Sequence, residues 1–385
     1  PECNTRKGIT KMENEGLQFL YLSEPDMLEA GVLDMKQCVR TMEDMFLLAG
    51  KGDYVMGGPK GNSHGIMLWY PENPAFEGMP KAGPDRRYMV MPAYLGGRFH
   101  VTGQKWYGSN VENIKKGMPR SILMFSLNDA DTGAPMAIMS ANLLSAARTG
   151  AVPGVAAKYL KSASAENIAV IGCGVINHAC TMAIAEGMGR INKVYLYDIN
   201  KDRAISFQQD MEKEFVAEYE ICDSLEEALR YADVISVATA GKVKVHITPE
   251  MLKPGALLTI TGTAELPDEM YLKNRVAVDN WQMHLDYLEE GKMHEKGLES
   301  IKDWASSYDM LMLYDKGILK EDNIVSLGDV VAGTAAPRKS DDDKLLLVVG
   351  GLPIEDVAWG YDLYNKALEK GLGQKLKIWD KPHWH

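Results

Sequence analysis

The sequence predicts an α/β protein in which a doubly wound parallel sheet is joined to a discontinuous second domain of α+β character. Three observations carry this expectation. Between residues 168 and about 330, short apolar runs alternate with segments of helical character, the order that a parallel sheet covered by helices requires. The first run, Ile168-Ala-Val-Ile171, enters Gly172-Cys-Gly174 and a helix-like segment, and a second run over 194–197 closes on Asp198. From 56 to 133 the pattern is different: short apolar runs broken by Gly, Pro and Asn, which mark a separate sheet of mixed or antiparallel strands.

The elements follow in order. Ser23-Glu-Pro-Asp26 caps a helix expected to start near Met27, and Asp34 caps a second over 35–48, before Gly50-Lys-Gly-Asp53. Strands are expected at 65–70, 88–91, 100–105 and 121–126. Trp69, Tyr70 and Phe76 either shape a pocket or form core, and Trp69 is assigned to core. The alanine-rich stretch over 141–160 has helical spacing and crosses between domains. Strands then fall at 168–171, 193–197, 234–237, 256–261 and 275–278, with a short helix opened by the capping box Ser224-Leu-Glu-Glu227. Beyond Gly350, residues 353–370 form a helix whose apolar face returns to the first domain, and the charge run over 339–344 is a solvated loop. The expected division is therefore 1–145 with 335–385 for one domain and 146–334 for the other.

Composition narrows the function classes. The 385 residues carry 46% hydrophobic and 25% charged side chains and a net charge of −11, which disfavours nucleic acid or an anionic membrane as partner. No apolar run approaches the ~20 residues of a membrane span, and the opening Pro1-Glu-Cys-Asn-Thr-Arg-Lys7 lacks the apolar core of a signal peptide. Cys3, Cys38, Cys173, Cys180 and Cys222 are scattered and odd in number, so reduced thiols and a cytoplasmic location are expected, without zinc site or disulfide framework.

The glycine turn is the strongest chemical signal. Gly172 permits a tight strand-to-helix turn, and Gly174 lets the backbone approach a pyrophosphate at the helix start formed by Val175 and Ile176. Asp198 is placed to accept from ribose hydroxyls and to repel a 2′-phosphate, so NAD rather than NADP is the expected cofactor. Asn177 replaces the usual third glycine, and the alternative is a glycine turn that binds nothing. Ala238-Thr-Ala-Gly241 and Thr259-Ile-Thr-Gly-Thr-Ala-Glu-Leu266 end two further strands, beside the crevice where such sheets bind ligands. Glu265 is the acid nearest that edge. Lys105, between Gly103 and the aromatic pair Trp106-Tyr107, is a lysine whose pKa burial would lower; the alternative is a solvated strand-end lysine. Arg148 is the only charge in a helix of small apolar residues and needs an anionic partner, which could be a substrate carboxylate, a cofactor phosphate or a structural acid. Lys60 lies in the loop Gly57-Gly-Pro-Lys-Gly-Asn62. His64, His100 and His178 occur singly and are read as structural.

Taken in order, Tyr21-Leu-Ser-Glu-Pro-Asp26, Met91-Pro-Ala93 with Gly103-Gln-Lys105, Asp131-Thr-Gly-Ala-Pro-Met-Ala137, Leu144-Ser-Ala-Ala-Arg-Thr-Gly150, Ile171-Gly-Cys-Gly174, Lys253-Pro-Gly255 and Gly351-Leu-Pro-Ile-Glu-Asp356 resemble one family. It is the ornithine cyclodeaminase/μ-crystallin family of NAD(P)-dependent proteins, and the resemblance runs from about Phe19 to Gly373. It implies a Rossmann domain beside a discontinuous substrate and dimerisation domain, and a homodimer. It implies Lys105 as the active-site lysine that contacts a substrate carboxylate and assists proton transfer, with Arg148 and Lys60 as carboxylate binders. It implies Gly172, Gly174 and Asp198 as cofactor positions, and Val175, Ile176, Ala238, Thr239 and Thr263 beside them are expected to bind the cofactor as well.

Three departures bear on the reaction. Thr263 stands where cyclodeaminases carry an aspartate, in a shorter loop; Lys60 stands for an arginine; and Val349 stands for a serine. The family's shared step is hydride transfer between nicotinamide C4 and the α-carbon of an amino or imino acid. A cyclodeaminase must also lose ammonia, close a ring and return the hydride, for which an acid at that position is central. The expectation is therefore an NAD-dependent amino- or imino-acid dehydrogenase or reductase. The alternatives are an ornithine- or lysine-type cyclodeaminase in which Glu265 supplies the missing acid, and a non-catalytic dinucleotide-binding protein.

Overall fold

The computed structural model describes residues 16–239 and 244–384. Cys3, the rest of the N-terminal stretch, and Ala240 and Gly241 of the strand-end segment lie outside them. The first part runs β1 (Leu17–Leu22), α1 (Glu24–Ala30), α2 (Met35–Lys51), β2 (Tyr54–Met56), β3 (Ile66–Trp69), β4 (Arg87–Leu95), β5 (Val101–Ser109), β6 (Ser121–Asp129), β7 (Pro135–Ser140) and α3 (Asn142–Leu160). The second continues with β8 (Asn167–Ile171), α4 (Val175–Met188), β9 (Lys193–Tyr197), α5 (Lys201–Glu214), β10 (Glu218–Ile221), α6 (Leu225–Leu229), β11 (Val234–Val237), β12 (Val245–His246) and β13 (Leu257–Ile260). After these come β14 (Ala264–Glu265), α7 (Asp268–Lys273), β15 (Arg275–Val278), α8 (Trp281–Met293), α9 (Tyr308–Asp315), β16 (Ile324–Ser326) and α10 (Leu327–Val331). The chain closes with β17 (Leu345–Val348), α11 (Pro353–Lys370) and β18 (Gln374–Trp379).

Local chemistry sets the helix starts. Ser23 and Asp26 form a reciprocal capping box, with Ser23 N donating to Asp26 Oδ2 at 2.9 Å. Pro25 sits in the first turn, where its missing N–H is no loss, so α1 begins at Glu24, earlier than expected. Asp34 Oδ1 accepts from Gln37 N at 3.0 Å and starts α2.

Two sheets result. The first has the order β18-β1-β7-β6-β5-β4-β2, with β3 on β4; it is antiparallel except for the β1–β7 pair. Its inner face packs against α11, with α2 stacked on α11 behind it, and Phe46, Phe125 and Trp359 are fully buried in this core. Trp69 does not join that core: β3 pairs with β4 at the rim, and Trp69 is 45% exposed.

The second sheet is wholly parallel in the order β10-β9-β8-β11-β13-β17-β15-β16. This is a doubly wound Rossmann sheet whose strand order reverses beside β8, the place where ligands bind in such folds. The strands at 193–197, 234–237 and 275–278 lie where the sequence places them.

The expected domain boundaries need correction on two counts. Leu345–Val348, assigned to the first domain, is the strand between β13 and β15 in the second sheet. The cut at 145 falls inside α3, a helix that packs along α4. That packing is close because small residues face each other: a Cβ on Gly150 would lie 2.5 Å from Ala179 Cβ, and one on Gly154 2.5 Å from the Ala183 carbonyl oxygen. The helix carrying Arg148 is thereby fixed against the helix that follows the glycine turn. No helix among the described residues is long and apolar enough to cross a membrane.

Candidate active site

A cleft of about 370 Å³ opens where β4, β5 and α3 of the first part meet the strand ends of the parallel sheet. Lys105 of β5 and Arg148 of α3 both line it and are 2% and 4% exposed. Lys105 is inward because β5 alternates: Lys105 pairs with Met91 and Gly103 with Ala93 on the buried side.

Their partners come from the far end of the chain. Lys105 Nζ lies 2.9 Å from Asp356 Oδ2 and donates to Ser145 Oγ at 3.1 Å. Arg148 donates from Nε to Asp356 Oδ1 at 2.9 Å and from Nη1 to Glu355 Oε2 at 2.6 Å. Glu355 and Asp356 are fully buried. Two of the five guanidinium donors, on Nε and Nη1, are therefore committed to structural acids. The remaining N–H groups, at Nη2 near Ser145 Oγ (3.5 Å) and on Nη1, are what Arg148 can offer a ligand.

Burial sets the protonation of this cluster. Lys105 is lowered from 10.5 to about 8, first by desolvation and then by the Arg148 charge, with Asp356 opposing. Glu355 is raised to about 7 by desolvation, against the pull of Arg148. His64, read from sequence as structural, lines the cleft as well. Its Nδ1 lies 2.6 Å from the Gly351 carbonyl oxygen, which can only accept, so Nδ1 carries the proton. Burial and the Lys105 charge lower His64 to about 3, leaving Nε2 a neutral acceptor at physiological pH.

The chain reaches Glu355 and Asp356 through β17. At the end of that strand Asp279 accepts from Gly350 N and Gly351 N, each at 2.7 Å, and from His284 Nε2 at 2.8 Å. This fixes the turn from which α11 starts.

The opposite wall is the nucleotide crevice. Gly172 has φ +86°, and a Cβ there would meet Thr239 Cγ2 at 3.0 Å; at Gly174 nothing lies within 4 Å of a Cβ. No side chain caps α4, and its first residue, Val175, is 80% exposed. Open space before uncapped helical N–H groups fits a pyrophosphate. Asp198 accepts from Cys173 N and Asn200 N, both at 2.8 Å, which ties the glycine turn to the end of β9. Asn177 explains the missing third glycine. Fully buried, it donates from Nδ2 to the carbonyls of Ile171, Gly172 and Ser236 and accepts from Ser236 Oγ at 2.6 Å, pinning the turn to β11. Ile176 and Thr261 reach the cleft. Thr263 N donates to the Thr239 carbonyl at 3.1 Å, joining the ends of β11 and β13, while Ala238 N donates to Ile171 O.

Two expected site residues are elsewhere. Lys60 is exposed and pairs with Glu289 outside the cleft, whereas His64, four residues on, lines it. Glu265 is 69% exposed in the β12–β14 ribbon, 4.0 Å from His246, and does not line the cleft. The short ribbon carries the segment after β13 outward, so the geometry gives no support to Glu265 as the missing acid. Glu355 and Asp356 stand in the Gly351–Asp356 motif without a signal of their role, and Arg87 and Arg120, which also line the cleft, belong to no motif in the sequence.

Comparison with known proteins agrees with this architecture. The profile of the Ornithine cyclodeaminase/mu-crystallin family matches residues 32–371. The N-((2S)-2-amino-2-carboxyethyl)-L-glutamate dehydrogenase of Staphylococcus aureus is 27% identical over 370 residues, covering 94% of this chain and 99% of the relative. The structure of Thermococcus litoralis Δ(1)-pyrroline-2-carboxylate reductase in complex with NADH and L-proline is similar at a TM-score of 0.72 and 27% identity, over 92% of this chain and 99% of that one. An archaeal alanine dehydrogenase dimer with bound NAD gives a TM-score of 0.73 at 26% identity, over 94% and 100%.

Proposed function

Since the chain belongs to the ornithine cyclodeaminase/mu-crystallin family, we propose that it is an NAD-dependent oxidoreductase acting on the Cα–N bond of an amino or imino acid. The observation that carries this reading is the lining of the cleft. Lys105 and Arg148 face the nucleotide crevice together, and no aspartate or glutamate lines the cleft among the described residues. A diamino acid would leave its side-chain ammonium without a counter-charge there, so the cyclodeaminase alternative has no group for its distinctive step.

When bound, the dinucleotide supplies hydride exchange at the substrate α-carbon. Gly172, Gly174 and the start of α4 would hold its pyrophosphate, and Asp198 its ribose hydroxyls. Lys105 holds or gives up the proton that accompanies interconversion of amine and imine. Arg148 and Lys105 orient the α-carboxylate, and Asp356 keeps the two cations side by side. Val349, Leu123 and Met91 limit water around the reacting carbon.

The same reading includes a homodimer working in the cytoplasm. Supporting the dimer, Val55, Ile66, Leu68, Tyr88 and Ile122 are 39–67% exposed on the first sheet, an apolar surface of the kind that a second copy covers. The test is NADH absorbance with purified protein, NAD and a panel of amino acids, with ammonia measured in parallel. Net NADH that tracks substrate supports the reading. Ammonia and a cyclic product without net NADH would restore the cyclodeaminase, and tight NADH binding without turnover would leave a binding protein.

A further inference from the structure

We propose that the substrate carries a second anionic group, held at the outer end of the cleft by Arg87 and Arg120, so that the enzyme selects acidic over neutral or basic amino acids. The inference rests on the oxidoreductase reading above and adds the substrate class.

Register places the second cationic pair. Arg87, Met89 and Met91 lie on one face of β4, opposite Ser109, Tyr107 and Lys105 of β5. From Arg87 to Met91 is about 13 Å along the strand, a span that the arginine and lysine side chains shorten from both ends. Arg120, just before β6, joins Arg87 because Ser121 pairs with Ser109. Both arginines line the same cleft as Lys105 and Arg148.

Charge separates the two ends. Lys105 and Arg148 share Glu355 and Asp356. Arg87 and Arg120 share Asp85 alone, which does not line the cleft: Arg87 Nη1 pairs with its Oδ1, and Arg120 Nε lies 3.3 Å from its Oδ2. Asp85 also accepts from Ser109 Oγ at 2.6 Å, which in turn accepts from Ser121 Oγ at 2.9 Å. One carboxylate thus orients two guanidiniums and neutralises one. The Arg87 Nε is buried without a hydrogen-bond partner among the described residues. Its guanidinium carbon lies 5.4 Å from the Trp69 ring centroid, which restricts the plane of the fork. A pre-oriented, under-neutralised guanidinium pair is the arrangement that recognises a carboxylate with charge-assisted hydrogen bonds. A neutral side chain would leave it uncompensated and an ammonium would be repelled.

Two matched pairs of probes test this with the NADH-loaded full chain: L-glutamate against L-glutamine, and L-2-aminoadipate against L-norleucine. Calorimetric binding decides the proposal. At least one dicarboxylate should bind tenfold or more tighter than its neutral counterpart, and Arg120→Gln, at an exposed position that leaves the fold undisturbed, should remove most of that ratio. Equal or weaker binding of both dicarboxylates, no measurable binding of any probe, or a ratio unchanged in both Arg120→Gln and Arg87→Gln overturns it. Turnover decides the reading beneath it. NADH formation without dicarboxylate preference in binding sinks the anion site and leaves the oxidoreductase standing. Arginine-dependent dicarboxylate binding without NADH formation from any amino acid does the reverse.

Discussion

Lys105 offers the sharpest test of the mechanism, because its burial predicts both a pH dependence and a failure of the charge-conserving replacement. Desolvation, helped by Arg148, lowers its pKa from 10.5 to about 8, a shift worth roughly 3 kcal/mol. At pH 7 about one molecule in ten then holds the neutral amine, against roughly one in three thousand for an ordinary lysine, a gain of some 300-fold in available base. The sign differs with direction. Oxidation of an amino acid needs the neutral amine, so kcat/KM rises with pH and levels off above about 8. Reduction of an imino acid needs the ammonium, so kcat/KM is flat at low pH and falls above the same point. Lys105→Arg keeps the positive charge beside Asp356 but cannot deprotonate. It should lose about 10²- to 10⁴-fold in kcat/KM, while NADH binding persists. The assay is NADH formation and consumption between pH 6 and 10 for both proteins. A variant within tenfold of the parent, or one that keeps the inflection near pH 8, would show that another group moves the proton.

Three further outcomes follow from the geometry. Gly174→Val places a side chain in space that is empty within 4 Å of its Cβ, so thermal stability should hold while NADH affinity, read by fluorescence titration, falls more than tenfold; unchanged affinity would remove the pyrophosphate from this turn. Gly154→Ala drives a Cβ to 2.5 Å from the Ala183 carbonyl oxygen, and overpacking of this kind should destabilise by about 1–3 kcal/mol, visible as a lower denaturation midpoint. Glu265→Gln, on the exposed ribbon outside the cleft, should leave NADH formation within about twofold of the parent; a collapse of activity would return Glu265 to the site.

The nucleotide half was largely legible because its signals are local. A strand ending in Gly172, a glycine at positive φ, and an acid closing the next strand are each dictated by backbone sterics and hydrogen bonding within a short segment. Asn177 shows the limit. The sequence marks it as a defect in the glycine pattern, whereas its two amide N–H groups are shared among three carbonyls that only a folded β8–β11 pair brings together. The strands β10, β16 and β17 are not legible in the sequence because three or four apolar or mixed residues carry no period that separates a strand from a buried helical turn. That His64 and not Lys60 lines the cleft was not legible, because a glycine-rich loop gives no rule for which of its side chains turns inward.

What the sequence determined by itself was the fold class, the glycine turn with its acid, and the presence of two cations, Lys105 and Arg148, in apolar surroundings that demand compensation. What the tertiary structure decided was the identity of the compensation. The place of strand β17 between β13 and β15 returns the chain to the cleft and sets Asp356 against an arginine 208 positions earlier. The same folding brings Arg87 and Arg120 to one carboxylate and carries Glu265 away. Helices and turns are fixed by neighbours along the chain, whose preferences are written in a few residues. An ion pair between distant elements depends on strand order and register, which no local pattern encodes.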